Sequence, residues 1–73
     1  MIRHELYLKV HQGTLKGKIQ ITYKGGTKED KSEVAVSPGD AAGLCVLRCF
    51  GAGVTRCDFY LDDGTLVAYA ENI

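Results

Sequence analysis

Three cysteines, two histidines and the adjacent pair Asp62-Asp63 are the residues of this 73-residue chain with most chemistry to offer. Cys45 and Cys49 are four apart, which puts them on one face if the segment is helical. The third thiol, Cys57, lies eight residues further on, and His4 and His11 are remote in sequence. Structural zinc sites use two closely spaced ligand pairs. That spacing is missing here, so no metal and no cofactor are expected. A nucleophilic thiol needs a nearby base and a depressed pKa, and nothing local supplies either. The three read as small core hydrophobes. Asp62 and Asp63 precede Gly64 and are turn residues rather than a carboxylate dyad. No phosphate-binding glycine loop, nucleophile elbow or paired-histidine motif occurs. The expectation is a non-catalytic protein.

The elements that must carry these residues fit in one domain, residues 1–73. A chain of this size buries only about 60% of its unfolded surface, which excludes a two-lobed enzyme. Hydrophobic residues are 45% and charged residues 25%, a globular balance rather than a disordered one. No apolar run approaches the roughly 20 residues of a membrane span, and Met1–Gln12 has no signal-peptide core. An odd cysteine count without an export signal points to a reducing, cytoplasmic setting.

Periodicity and punctuation predict a β-β-α-β-β order in the α+β class. Two antiparallel hairpins, joined in one four-stranded sheet, would carry a helix across one face. The first strand runs over Ile2–His11 and the second over Lys16–Lys24, both with period-two alternation. A turn at Gly13-Thr14 would pair them, placing Leu8 opposite Ile19, Leu6 opposite Ile21 and His4 opposite Tyr23. Polar Thr27–Glu33 reads as an exposed loop, followed by a short extended piece at Val34-Ala35-Val36. Ser37-Pro38-Gly39-Asp40 is a helix start, with Ser37 as N-cap, Pro38 at the first helical position and Asp40 near the positive dipole end. Ala41–Phe50 forms the body and Gly51 the stop. A buried strand over Leu44–Phe50 is the competing reading, disfavoured by the cap, the alanines and the length. Asp63-Gly64 marks a second hairpin. Its register sets Leu61 against Leu66, Phe59 against Ala68 and Cys57 against Ala70 on the inner side. On the outer side Tyr60 faces Val67, Asp58 faces Tyr69 and Arg56 faces Glu71.

Three features bear on function. The helix is apolar nearly all round, with Leu44, Leu47 and Phe50 on faces that one small sheet cannot cover. A homodimer that buries the helices between two sheets is expected. The outer face of the second hairpin adds Tyr60, Val67 and Tyr69, an apolar and aromatic patch suited to a protein partner. Charge is also divided: residues 1–31 hold seven basic and three acidic side chains, while residues 32–73 hold two basic and six acidic. In the first-hairpin register Lys9 opposes Lys18 and Arg3 opposes Lys24. Arg3, Tyr7, Lys9, Lys16, Lys18 and Lys24 thus form the alternative site, a basic face for nucleic acid or another polyanion. The leading expectation is a self-associating binding protein that presents a sheet face to a macromolecule, with no membrane role.

Arg56-Cys57-Asp58-Phe59 followed by Glu71-Asn72 locally resembles the closing strands of ATP-grasp ligases, in which an R-x-D-F run precedes a magnesium-binding Glu and Asn. The match is confined to residues 56–72. The family separates its Glu and Asn by one residue, whereas here they are adjacent, so no ligand role is carried over to these positions.

Overall fold

Alternating apolar residues make Leu15–Tyr23 a strand whose Leu15, Ile19 and Ile21 are buried while Lys16 and Lys18 face out. In the computed structural model, which describes Met1–Ile73, this strand is β2 of one five-stranded antiparallel sheet. The others are β1 (Ile2–Leu6), β3 (Lys28–Ala35), β4 (Val54–Leu61) and β5 (Leu66–Asn72), and one helix, α1 (Pro38–Arg48), lies between β3 and β4. Strand order is β1-β5-β4-β2-β3. The fold is α+β, with the helix on one face of the sheet. No helix is long and apolar enough to cross a membrane.

The pairing of the first two strands differs from the sequence reading. β1 does not form a hairpin with β2. It pairs antiparallel with β5, from Ile2 against Asn72 to Leu6 against Ala68. A strand has two hydrogen-bonding edges, and β2 gives one to β3 and the other to β4. The tight turn after Tyr23 decides the competition. Tyr23 N–H donates to Thr27 O at 2.8 Å and Gly26 N–H donates to Tyr23 O at 3.0 Å, with Gly25 and Gly26 at φ +89° and +91°. This closure brings Lys28 onto β2 at once. The expected loop Thr27–Glu33 is therefore mostly strand, and β3 absorbs Val34 and Ala35 as well. An edge strand needs no apolar alternation, so its charged sequence hid it.

The second hairpin keeps the expected register over Arg56–Glu71, Cys57–Ala70, Asp58–Tyr69 and Phe59–Ala68. It then shifts, so that Tyr60 faces Leu66 rather than Val67. Leu61 N–H bonds Thr65 O at 2.9 Å and Gly64 N–H bonds Leu61 O at 2.8 Å, which makes a three-residue loop instead of a two-residue one. Gly64, at φ +90°, takes the left-handed position, and the extra β5 residue is absorbed as a bulge.

The helix begins as its sequence requires. Ser37 Oγ accepts from Asp40 N–H at 3.1 Å, and Asp40 Oδ2 accepts from Val36 N–H at 3.0 Å. Its inner stripe of Ala41, Ala42, Cys45 and Cys49 is buried against the sheet. Beneath it lie Phe59, Cys57, Ala68 and Ala70, all fully buried. Small residues on both layers allow close approach, with Phe59 filling the space between them.

Gly17 sits on the same layer, where a Cβ would collide with the Tyr60 carbonyl and the Leu61 backbone. Gly17→Ala is expected to cost about 1–3 kcal/mol by overpacking, more than the ~1 kcal/mol lost from the cap in Ser37→Ala. Thermal melts of the two variants check the ranking.

Candidate interaction surfaces

The helix presents a second apolar face to solvent. Leu47 is 65% exposed and Phe50 74% exposed, and Leu44 between them and the core is half-buried. Val36, just before the N-cap, is 73% exposed. Gly43 on the same side has nothing within reach of a Cβ, which leaves the helix surface open there. Beside this ridge runs a groove of about 320 Å³ between the helix C-terminal half and β2. Ile21, Leu44 and Leu47 supply its apolar lining, and Tyr23, Lys31 and Arg48 its polar margin. The margin is held by local pairs: Arg48 to Glu33 at 3.4 Å and Tyr23 Oη donating to Glu29 at 2.8 Å. The Glu29 contact pushes the Tyr23 pKa up. The expected helix residues Leu44, Leu47 and Phe50 thus come together at one surface.

The second expected patch does not. Val67 is fully buried and Tyr69 is 5% exposed, leaving Tyr60 half-buried and alone. Val67, the extra residue of the β5 bulge, belongs to the hydrophobic core, while Tyr69 is covered by β1 and the chain just after it. Tyr7 and Leu8 N–H both donate to Val67 O, at 2.8 and 3.1 Å. The Tyr7 ring stacks on Tyr69 with centroids 5.7 Å apart. Arg56 lies over the Tyr69 ring at 4.0 Å, and Tyr69 Oη donates to Glu5 at 3.0 Å. That hydrogen bond raises the Tyr69 pKa. Placing β1 beside β5 therefore turns the aromatic patch into the interior of a polar layer. Tyr7 keeps 53% exposure at its rim.

The basic face is likewise broken up. Arg3 is on β1 and Lys16 and Lys18 are on β2, with β5 and β4 between. The opposed pairs Lys9–Lys18 and Arg3–Lys24 do not exist, because the strands that would oppose them do not meet. Arg3 instead pairs with Glu71, which raises its pKa. Glu71 also meets Arg56 at 3.6 Å, and Arg56 grips the buried Asp58 at 2.9 Å. Lys18 approaches Asp30 at 3.8 Å. Lys9 and Lys24 lie outside the strands. The open sheet face is an alternating lattice of both charges, not a single positive field.

Glu71 and Asn72 point to opposite sides. Glu71 meets the arginines, while Asn72 Nδ2 donates to Cys49 O and Val54 O, both at 2.9 Å, tying the helix end to β4. They share no ligand position, so the local likeness to ATP-grasp strands has no counterpart in space. The Asn72 tie, across a large sequence separation, was not legible in the sequence.

The three cysteines are free and buried. Burial pushes the pKa values of Cys45 and Cys57 up to about 12, and raises that of Cys49. Cys45 Sγ is 3.9 Å from Ala68 O, a weak contact. Such thiols stay protonated and unreactive. No group of three His, Cys, Asp or Glu side chains converges as a metal-ligand set. No family model, curated protein or solved structure matches this chain.

The raised thiol pKa values predict an alkaline weakness. Well below pH 9.0 the thiols are protonated whether folded or unfolded. As pH rises from 9.0 towards about 12, the unfolded chain loses protons that the folded chain retains, so stability falls. Urea midpoints across this range should drop less for a Cys45→Ala/Cys57→Ala variant than for the parent chain. Equal slopes would show that the thiols do not contribute.

Proposed function

We propose that this protein is a non-catalytic interaction module that self-associates through the outer face of α1. The observation that carries the reading is the exposure of Leu47 and Phe50 beside an apolar groove on the same surface. Fully burying either side chain is worth about 1.5–3 kcal/mol. A two-fold contact would use each twice, since an isologous interface sets the same patch against itself. Ridge and groove lie side by side, so the ridge of one copy can seat against the groove of the other.

Size decides how much surface must join in. A standard interface takes roughly 800 Å² from each partner, against a total of 4406 Å² for this chain. An 11-residue helix is about 16 Å long and too short to supply that area alone. Val36 at one end and the groove flank along the side extend the contact. Three free, unbridged thiols fit a reducing compartment for such a module. The polyanion alternative is weaker, because Glu71 and Asp30 occupy Arg3 and Lys18.

Light scattering over a concentration series tests the reading. The parent chain is expected at twice the monomer mass of 7.9 kDa or more. Leu47→Asp and Phe50→Asp should each weaken association at least tenfold with the circular dichroism spectrum unchanged. A parent chain that stays monomeric at the highest concentration refutes the proposal.

A further inference from the structure

β3 ends the sheet, with β2 as its one neighbour. The hydrogen bond from Tyr23 N–H to Thr27 O fixes which way its backbone points. Antiparallel ladders alternate, so Glu29, Lys31, Glu33 and Ala35 aim their N–H and C=O groups at β2, opposite Ile21, Ile19, Gly17 and Leu15. The same groups of Lys28, Asp30, Ser32 and Val34 lie on the free edge. Val34 N–H has one long local contact, to Glu33 Oε1 at 3.4 Å. The helix packs mainly over β5 and meets β3 through the Arg48–Glu33 pair, while Lys28–Ser32 are exposed and leave room for a further strand. Charged residues on an edge ordinarily discourage pairing, but here both signs are present, and the repulsion depends on register.

Two identical strands pair antiparallel about a two-fold axis normal to the sheet, so each residue meets one on the same face. Four registers overlap five or more residues of β3, centred on Asp30, Lys31, Ser32 or Glu33. Centring on Asp30 opposes the two copies of Asp30. Centring on Lys31 opposes the two copies of Lys31 and sets Glu29 against Glu33. Centring on Glu33 opposes the two copies of Glu33. Centring on Ser32 opposes no like charges. It sets Lys31 of each copy against Glu33 of the other, Asp30 against Val34 and Glu29 against Ala35. Lys31 and Glu33 of the two copies then form a square of alternating sign, and each such cross-strand pair is favourable. The exposed Val34, at 54%, gains cover in the same register.

We propose that a second copy of this chain is the partner of the β3 edge, paired antiparallel with Ser32 at the two-fold axis to make a continuous ten-stranded sheet. This edge shares only Lys31 with the margin of the groove beside α1, and pairing along it does not require the outer helix face. A chain with both surfaces active assembles beyond a dimer, because each isologous contact leaves the other free.

The test isolates the edge. A Leu47→Asp/Phe50→Asp chain, altered only at exposed positions of the helix face, is measured by sedimentation equilibrium over a concentration series. It is expected to remain a dimer. Adding Lys31→Glu, which sets a carboxylate against the Glu33 carboxylate of the other copy, should weaken that dimer about tenfold, in line with loss and reversal of two exposed ion pairs. Combining Lys31→Glu with Glu33→Lys and Arg48→Glu, so that position 33 keeps an opposite charge in place of its Arg48 contact, should restore it. Amide exchange adds a register readout, with Asp30, Ser32 and Val34 N–H slowed in the dimer. A monomeric helix-face variant, or a charge swap that fails to restore pairing, overturns this proposal. If that variant keeps the parent's association unchanged, the helix-face reading fails and the edge reading stands.

Discussion

The close fit between a small-residue helix stripe and a small-residue strip of sheet governs the rest of this molecule. Ala41, Ala42, Cys45 and Cys49 share one core with Ala68, Ala70 and Cys57, and Phe59, Leu15, Ile19 and Val67 are the large side chains sealed in it. Ala and Cys let the two backbones approach, and burial of that layer is the main apolar gain this short chain can make. The fit also fixes where the helix lies. It sits over β5 and its neighbours and leaves the β2–β3 side of the sheet thinly covered. The groove lined by Ile21, Leu44 and Leu47 is a direct result, and so is the open approach to β3.

On the other side of the sheet the chain solves a different problem. β4 and β5 are central, and their outward residues need cover that a second helix would normally give. Polar side chains supply it. Arg56, Asp58, Glu71 and Arg3 form a continuous ion-pair chain, and Tyr69 is closed in by Tyr7, Arg56 and Glu5. Isolated surface pairs add little, but Asp58 is 6% exposed and its partner Arg56 is correspondingly needed. This face is therefore closed by its own contacts. The outer helix face and the β3 edge have no such closure, which is why the functional reading rests on them.

Much of this was legible in the residues, and the exceptions have physical causes. Ser37 and Asp40 announced the helix start because capping is local chemistry. Cys57–Ala70 and Phe59–Ala68 could be paired because a short turn and an alternating pattern fix register together. The partner of β1 was not legible. Leu6 satisfies its apolar side equally well beside Ile21 or beside Ala68, and strand pattern alone does not choose between remote partners. β3 was missed because Lys28–Glu33 carries charges where a central strand would carry apolar residues. Placing β1 beside β5 buried Tyr69 and separated Arg3 from Lys18, while the β5 bulge put Val67 in the core. The exposure of Leu47 and Phe50 was legible because a helix apolar on both sides cannot hide both against a single sheet.

The central claim is that the fit that buries Cys45 leaves Leu47 and Phe50 to be covered by a second copy. Isotope-filtered nuclear Overhauser spectra on a mixture of labelled and unlabelled chains test it most directly. Cross-copy contacts are expected between Leu47 methyl groups, the Phe50 ring and the groove residues Leu44 and Ile21. Spectra in which those side chains show contacts only within their own chain, at millimolar concentration, would contradict it.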